Sequence, residues 1–586
     1  MPILREAVEH RANAEDGHAI SGTEVVLRLR TRRGDCSGVT LVYIDKYRYI
    51  FDFHGHFSDR FHELPMERFA SDERFDFYQA RLVHDMLAIN YYFWLECEGE
   101  VLCFGNHGFF DRAQLGPGQL FTMPLLQEDD LYAVPAWVHE AVVYQIFVDS
   151  FYRGDGYKAQ AGHAGWYLRD RHRGHRGGTL QGIVDKLDYL HDLGVNTLYL
   201  TPIFESPSNH KYNIGDFYKI DPRFGSRQTL LTLVKEIHRR GMRILLDVVL
   251  HASGIEFFAF QDLLAHGPDS AYVDWYQVEG FPLRLENPPN YRSWGYVYNL
   301  PKFNLANPEV REYLLDVLVY WIREVGIDGW RLDTADEVSH TFWREARRRV
   351  KAANPEVLLV GEVWYDARPW LGGDQLDTVM NYSFHGAVTD FFARDRLTPV
   401  EFSRCLAWTR GRYRRPAWQI LWNLIGSHDT ARFLAEAGGD VARMELAVLF
   451  QFTYPGVPYV YYGDEVGMDL NSLAYRGGMY WDPARQDHDL LAFYRQVIRL
   501  RRSTPALQRG DFYEILVDDE RGLYAFRRRL GEDEVRVYLN NGGRPQEVPA
   551  GDGARDLLNG RPLPPGMVTL APRSGLVMQV AAEAGP

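Results

Sequence analysis

Residues 307–333 read NPEVREYLLDVLVYWIREVGIDGWRLD. Asn307 suits a helix N-cap and Pro308 the first helical position. Val310, Leu314, Val317, Leu318, Trp321 and Val325 recur at helical spacing on one face, and Gly326 ends the pattern. The short apolar run 329–333 follows and finishes on Asp333. A helix feeding a short buried strand is one unit of a β/α repeat. Similar runs stand at 142–147, 197–200, 243–249, 358–363, 378–382, 421–427 and 459–462, with helical pattern between most of them. Eight such units predict an α/β fold, a (β/α)8 TIM barrel.

Working outward, residues 251–303 break the alternation with a long, aromatic-rich stretch. They are expected to form an excursion domain after the third strand, since loops of that length are usually functional. The first 130 or so residues read as β: 24–31 and 39–43 are rich in branched apolar residues, and Tyr91, Phe93 and Leu95 alternate. Near the other end Val535, Val537 and Leu539 alternate before the turn-forming run 541–543. The expected organisation is therefore an N-terminal β-sandwich at 1–134, the barrel at 135–503 with its insertion at 251–303, and a C-terminal antiparallel β domain at 504–586.

Composition narrows the function. The 65 basic and 79 acidic residues leave a net charge of −14, which argues against a nucleic-acid partner. No GxGxxG or phosphate loop follows a strand. No apolar run is long enough for a membrane span, and the charged first residues do not form a signal peptide. Four cysteines without a CxxC pair read as thiols in a reducing compartment, so a cytoplasmic location is expected. Aromatic residues make up 14% of the chain. They fit large cores, and equally flat surfaces for sugar rings.

In a barrel, chemistry collects where strands end. Those ends carry Asp247, Asp333, Glu362 and the pair His428-Asp429. Any one of these carboxylates could cap a helix or make a surface ion pair. Four on one rim, with Arg331 two residues before Asp333 on the same strand face, point to glycosidic cleavage. That reaction needs one carboxyl to protonate the leaving oxygen and another to attack or stabilise the anomeric carbon. Arg331 is expected to lower the pKa of Asp333, and Val363 and Trp364 to desolvate Glu362.

Several stretches identify a family. Residues 329–346 read GWRLDTADEVSHTFWREA, 361–382 read GEVWYDARPWLGGDQLDTVMNY, 425–432 read IGSHDTAR, 300–304 read LPKFN and 201–212 read TPIFESPSNHKY. Together they resemble the α-amylase family of glycoside hydrolases, in particular its cyclomaltodextrinase, neopullulanase and maltogenic amylase subgroup, over almost the whole chain. The resemblance implies retaining hydrolysis of α-1,4 bonds, with α-1,6 bonds as a further option, in cyclodextrins, maltooligosaccharides or pullulan. It assigns Asp333 as nucleophile, Glu362 as general acid/base and Asp429 as the third carboxylate. It places Arg331, Asp247, His428 and Tyr212 around the sugar before the scissile bond. Trp364 and Glu337 fall on the leaving-group side, and Arg476 towards the non-reducing end. Residues Asp45, Tyr47, Asp72, Phe75 and Tyr78 resemble the subgroup's starch-binding-type module, which implies a homodimer with that module over the partner's cleft. A transglycosylase of the same family and a non-catalytic carbohydrate-binding scaffold are the alternatives.

The chain departs from the family at four places. The third-strand motif reads Asp247-Val-Val-Leu-His251-Ala252, with Ala252 where the family has histidine and His251 one residue early. Asn213 replaces an aspartate after Tyr212. The run 334–337, TADE, is a variant of the subgroup's form that is expected to bear on the choice between α-1,4 and α-1,6 bonds. In the family's calcium loop an asparagine appears as Arg153 and an aspartate as Thr179, while Asp155 remains. A cation that takes six to eight oxygens cannot share its shell with an arginine. The expectation is no metal and no other cofactor, with Arg153 in the ion's structural place.

Overall fold

The computed structural model describes residues 3–47, 61–156, 165–167, 174–470 and 476–580. The chain forms two compact units: residues 1–133 with 368–373 and 397–419, and residues 134–367 with 374–396 and 420–586.

In the second unit eight strands, β1 (Val143–Ile146), β2 (Thr197–Leu200), β3 (Arg243–Val249), β4 (Gly329–Asp333), β5 (Leu358–Gly361), β6 (Thr378–Val379), β7 (Trp422–Leu424) and β8 (Val457–Tyr461), pair in the order β6-β5-β4-β3-β2-β1-β8-β7. Every pairing is parallel, and a parallel bridge between Met380 and Trp422 brings the two outer strands together. This is the barrel read from the sequence: three strands keep the bounds of their apolar runs, four are shorter, and β8 begins two residues earlier.

The helix before β4 spans Pro308–Val325. The Asn307 side chain accepts from the Glu309 and Val310 amides, and Gly326 closes the helix at φ 80°. Val310, Leu314, Val317, Leu318, Trp321 and Val325 are all buried. Gly329, which opens β4, leaves no room for a side chain: a Cβ there would lie 2.6 Å from the Leu358 carbonyl oxygen. That close approach brings β4 tight against its neighbours and sets the height of the residues that follow. In the β3–β4 register Asp247 lies beside Arg331 and Val249 beside Asp333. Period two then aims Asp247, Arg331 and Asp333 to the same side.

The excursion between β3 and β4 carries one helix, Phe258–His266, and returns through isolated antiparallel bridges such as Ala252–Lys302 and Tyr276–Phe303. The end of this unit is antiparallel, with Asp511–Asp518, Leu523–Leu530, Asp533–Asn540 and Ser574–Gln579 adjacent in one sheet.

The first unit contains a β-sandwich of a four-stranded and a six-stranded sheet. Val25, Leu27 and Leu29 from one sheet meet Leu41, Tyr91, Phe93 and Leu95 from the other in a common core. Among the residues of the module pattern, Asp72 accepts from the Arg74 and Phe75 amides, Tyr78 donates to the Cys36 carbonyl, and Asp45 accepts from the Tyr47 amide. Four of these five residues make turn or core contacts; the fifth, Tyr47, is exposed. Among the described residues no helix is long and apolar enough to cross a membrane.

Candidate active site

The strand ends of β3, β4, β5 and β7 deliver the acidic residues to one place. Arg331 is its centre and is fully buried. Its Nη1 lies 2.5 Å from Asp333 Oδ1 and 3.1 Å from Asp247 Oδ1, and its Nη2 lies 2.7 Å from Glu362 Oε2. One guanidinium therefore holds three carboxyl groups from three adjacent strands.

A single positive charge cannot neutralise three carboxylates in a dry site. Burial pushes the Asp333 carboxyl well above the usual carboxylate range. Arg331 pulls it down, and Glu362 and Asp247 push it up again. The expectation from the sequence was that Arg331 would lower this pKa. The contact is present, but desolvation outweighs it, because the cation is shared. Asp247 is also raised, by burial first, against the pull of Arg331 and of the Tyr199 and Tyr212 hydroxyls. Those hydroxyls donate to Asp247 Oδ2 at 2.6 and 2.8 Å.

Glu362 is held from several sides. The Thr334 amide donates to Oε2 at 3.0 Å, and the Trp364 indole donates to Oε1 at 3.0 Å. The Tyr382 hydroxyl reaches Oε1 at 3.4 Å. Trp364 stacks on Tyr382 with ring centroids 3.8 Å apart and remains 49% exposed. The sequence reading made it an apolar cover for Glu362. It is instead a hydrogen-bond partner with one broad face open to solvent.

Asp429 has a different environment. Its Oδ2 lies 3.0 Å from His428 Nε2 and its Oδ1 2.8 Å from Arg476 Nη2. Burial alone would raise its pKa; His428 and Arg476 together hold it below the usual range. Arg476 also donates to the His428 carbonyl at 2.7 Å, so it is tied to the third carboxylate. Gln145 of β1 fixes the histidine. Its side-chain oxygen accepts from the His428 amide, and its amide nitrogen lies 2.6 Å from Nδ1. An amide nitrogen only donates, so Nδ1 accepts and Nε2 carries the ring proton. The Tyr212 hydroxyl lies 2.6 Å from that Nε2, with the two rings nearly parallel.

Of the sequence-assigned residues, Asp333, Glu362, Asp429, Arg331, Asp247, His428, Tyr212, Trp364 and Arg476 are joined by hydrogen bonds and ion pairs into one network. Glu337 is not part of it: it is exposed and pairs with Lys302 at 2.5 Å. Gln145, Tyr199, Tyr382 and Thr334 belong to the network and were not singled out as site residues; Tyr382 closes the quoted run 361–382, and that position was the only available signal for it. His251 lies beyond the end of β3 and turns inward. It is buried, and burial lowers its pKa to about 3. Ala252 is fully buried beside Lys302. Asn213 accepts from the Ser206 and Ser208 hydroxyls.

The loop after β1 is closed by internal contacts. Arg153 Nε donates to the Arg176 carbonyl at 2.7 Å, and its guanidinium lies 5.0 Å from the Trp166 ring centre. The Thr179 hydroxyl donates to the Arg153 carbonyl, and Tyr152 donates to Asp155 at 2.6 Å. Asp149 accepts from the Arg176 and Gly177 amides. Backbone meets backbone here: a Cβ on Gly178 or on Gly182 would lie 2.0 Å from the Val148 or Tyr152 oxygen. The cationic Arg153 side chain reaches a carbonyl of this loop, which does not fit a calcium shell built of oxygen ligands.

Comparison with known proteins agrees with the geometry. Residues 145–478 match the family described as Alpha amylase, catalytic domain, and residues 3–127 match Alpha amylase, N-terminal ig-like domain. A cyclomaltodextrinase of Geobacillus thermopakistaniensis (strain MAS1) is 41% identical over 93% of both chains. Neopullulanase 2 of Thermoactinomyces vulgaris is 43% identical over 93% of this chain and 92% of its own. A solved cyclomaltodextrinase superposes with a TM-score of 0.89 at 38% identity, covering 98% of this chain and 99% of the other. With both of its characteristic domains and a relative matched over nearly its full length, the chain belongs to the α-amylase family of glycoside hydrolases.

Proposed function

We propose that this enzyme hydrolyses α-glucosidic bonds of cyclodextrins, maltooligosaccharides or pullulan with retention at the anomeric carbon. The observation that carries the reading is the guanidinium of Arg331 set between Asp333 Oδ1 and Glu362 Oε2. It brings two carboxyl groups of different strands to neighbouring nitrogens of one fork, which suits the close spacing of about 5–5.5 Å that retaining enzymes use.

Asp333 attacks the anomeric carbon while Glu362 passes its proton to the departing sugar oxygen. The cluster around Arg331 carries an excess of negative charge, which favours the cationic character of the sugar in the transition state. Water then displaces Asp333, giving its proton back to Glu362. Asp429, kept ionised by His428 and Arg476, accepts from sugar hydroxyls. Tyr212 and the exposed face of Trp364 offer flat surfaces to the rings on either side. Proton NMR of the first product decides the stereochemistry: the α-anomer is expected, and an initial β-anomer would overturn the assignment. Turnover of cyclodextrins, pullulan and maltooligosaccharides, with products identified, ranks the substrates.

The loop after β1 supports a protein without bound calcium, with Arg153 as the donor that satisfies its carbonyls. The subgroup resemblance supports a homodimer. Four cysteines without a disulfide support a cytoplasmic location. A monomeric mass in solution would count against the homodimer.

A further inference from the structure

Thr334 follows the nucleophile directly and takes φ 43°, ψ 53°. This left-handed region is one that β-branched residues rarely enter. The conformation is held on both sides. The Thr334 amide donates to Glu362 Oε2 at 3.0 Å, and the next amide, of Ala335, donates to the Glu362 carbonyl at 3.0 Å. The Thr334 hydroxyl donates to Asp333 Oδ2 at 3.1 Å. That is the oxygen Arg331 leaves open, since its 2.5 Å contact is with Oδ1. One residue in an unfavourable backbone state thus touches both reacting carboxyl groups. Such outliers persist where the surroundings over-determine them, and functional sites are where they gather.

We propose that Thr334 is a positioning residue whose hydroxyl sets the balance between the two half-reactions. The inference rests on the reading of Asp333 as nucleophile. In the first half, an Asp333 oxygen bonds to the anomeric carbon, the bond to the departing sugar oxygen breaks, and the Glu362 proton goes to that oxygen. The Asp333 carboxylate loses charge, so a donor that stabilises the charge opposes the step. In the second half, a water oxygen bonds to the same carbon and its proton goes to Glu362. The ester bond breaks and its electron pair returns to Asp333. Charge now develops on the carboxylate, and the same donor assists. The hydroxyl therefore holds back formation of the glycosyl-enzyme and speeds its breakdown.

The test compares Thr334→Val, which keeps the branched shape and loses the donor, with Thr334→Ser, which keeps the donor. The probe is 4-nitrophenyl α-maltoside in pre-steady-state mixing. Thr334→Val is expected to release a burst of nitrophenol approaching one equivalent per site. A steady-state rate lower by about tenfold should follow, the scale of one hydrogen bond to a charged group. Thr334→Ser is expected to behave as the wild type, without a burst. Absence of a burst in Thr334→Val overturns the proposal, whether or not the steady rate falls. A burst of the same size in Thr334→Ser overturns it too, since the hydroxyl would then not be the cause. If Thr334→Val does not fold, Thr334→Ala, which also lacks the hydroxyl, carries the same expectation. Acid quenching and peptide mass analysis locate the sugar ester. An ester on a residue other than Asp333 would mean that the nucleophile assignment is wrong; an ester on Asp333 without a burst would mean that only the role of Thr334 is.

Discussion

Arg331 and Arg432 are both fully buried, and each meets a carboxylate at short range: 2.5 Å for Arg331 to Asp333 and 2.7 Å for Arg432 to Asp464. Their surroundings differ in number and kind. Arg331 faces Asp247, Asp333 and Glu362 together. Arg432 faces Asp464 and lies over the rings of Tyr461 and Tyr462, 4.3 and 5.0 Å from their centres. The second arrangement is balanced, one charge against one, with aromatic faces supporting the cation. The first sets three carboxyl groups against one cation, and the excess is relieved by a proton held among them or by a partner that becomes cationic. The barrel uses the same residue type as scaffold in one place and as the centre of a reaction site in the other, and the count of carboxylates separates the two.

The largest expected effect follows from the unbalanced cluster. Asp333→Asn and Glu362→Gln should each lower turnover of cyclodextrin by about 10²–10⁴-fold or more, with circular dichroism unchanged. Each substitution removes a step that the other residue cannot supply. Turnover within tenfold of the wild type in either variant would place the chemistry on another carboxylate.

Stability is the next way to separate the two arginines. Arg331→Met leaves three buried carboxyl groups without their cation, and a loss of about 3–5 kcal/mol in urea unfolding is expected. Replacing Arg432 and Asp464 together, by Met and Leu, removes a balanced pair as a unit and should change stability far less, within about 1–2 kcal/mol. If the double replacement costs as much as Arg331→Met, the contrast between the two regions is not one of charge balance.

Asp464 sharpens the comparison through pH. Burial raises its pKa from 3.8 to about 7, against the pull of Arg432. Between those two values the folded state holds a proton that the unfolded state has released. Its contribution to stability therefore falls as pH rises from about 4 to about 7 and is level above that. In Asp464→Asn this component is absent, so the slope of unfolding free energy against pH should be more positive than in the wild type by up to about 1.4 kcal/mol per pH unit. Equal slopes in the two proteins would show that Asp464 is ionised throughout.

Much of the frame was legible in the sequence, because it depends on periodicity and on residues with one physical role. The capped helix Pro308–Val325, the eight strand runs and the acidic strand ends are of that kind. What could not be read was the outcome of opposing effects. Arg331 was expected to dominate Asp333, yet burial is stronger, a result that depends on the two further carboxylates brought by β3 and β5. Arg476 meets Asp429 across 47 residues of sequence, a distance no local pattern encodes. Thr334 matched a motif variant, but the left-handed turn that sets its hydroxyl on Asp333 is a property of the folded strand end.

A third arginine tests how far the comparison extends. Arg153 is only partly buried; its Nε donates to the Arg176 carbonyl and its guanidinium lies against the Trp166 ring. Its role is that of a donor. The loop after β1 and the glycine-rich turn meet through main-chain groups too close to admit side chains at Gly178 and Gly182, so their carbonyls depend on donors from within. Arg153→Ala removes one such donor and the cover it gives Trp166. A loss of about 1–3 kcal/mol is expected, the usual cost of leaving buried polar groups unpaired. Arg153→Lys should recover only part of it, because an ammonium lacks the planar fork that both donates and stacks. Addition of a chelator should leave the melting temperature of the wild type unchanged. A melting temperature that falls with chelator and returns with calcium would mean that an ion, and not Arg153, joins the two segments, and the loop would then have to rearrange to expose the oxygens of Asp149 and Asp155 that now accept from Arg176, Gly177 and Tyr152.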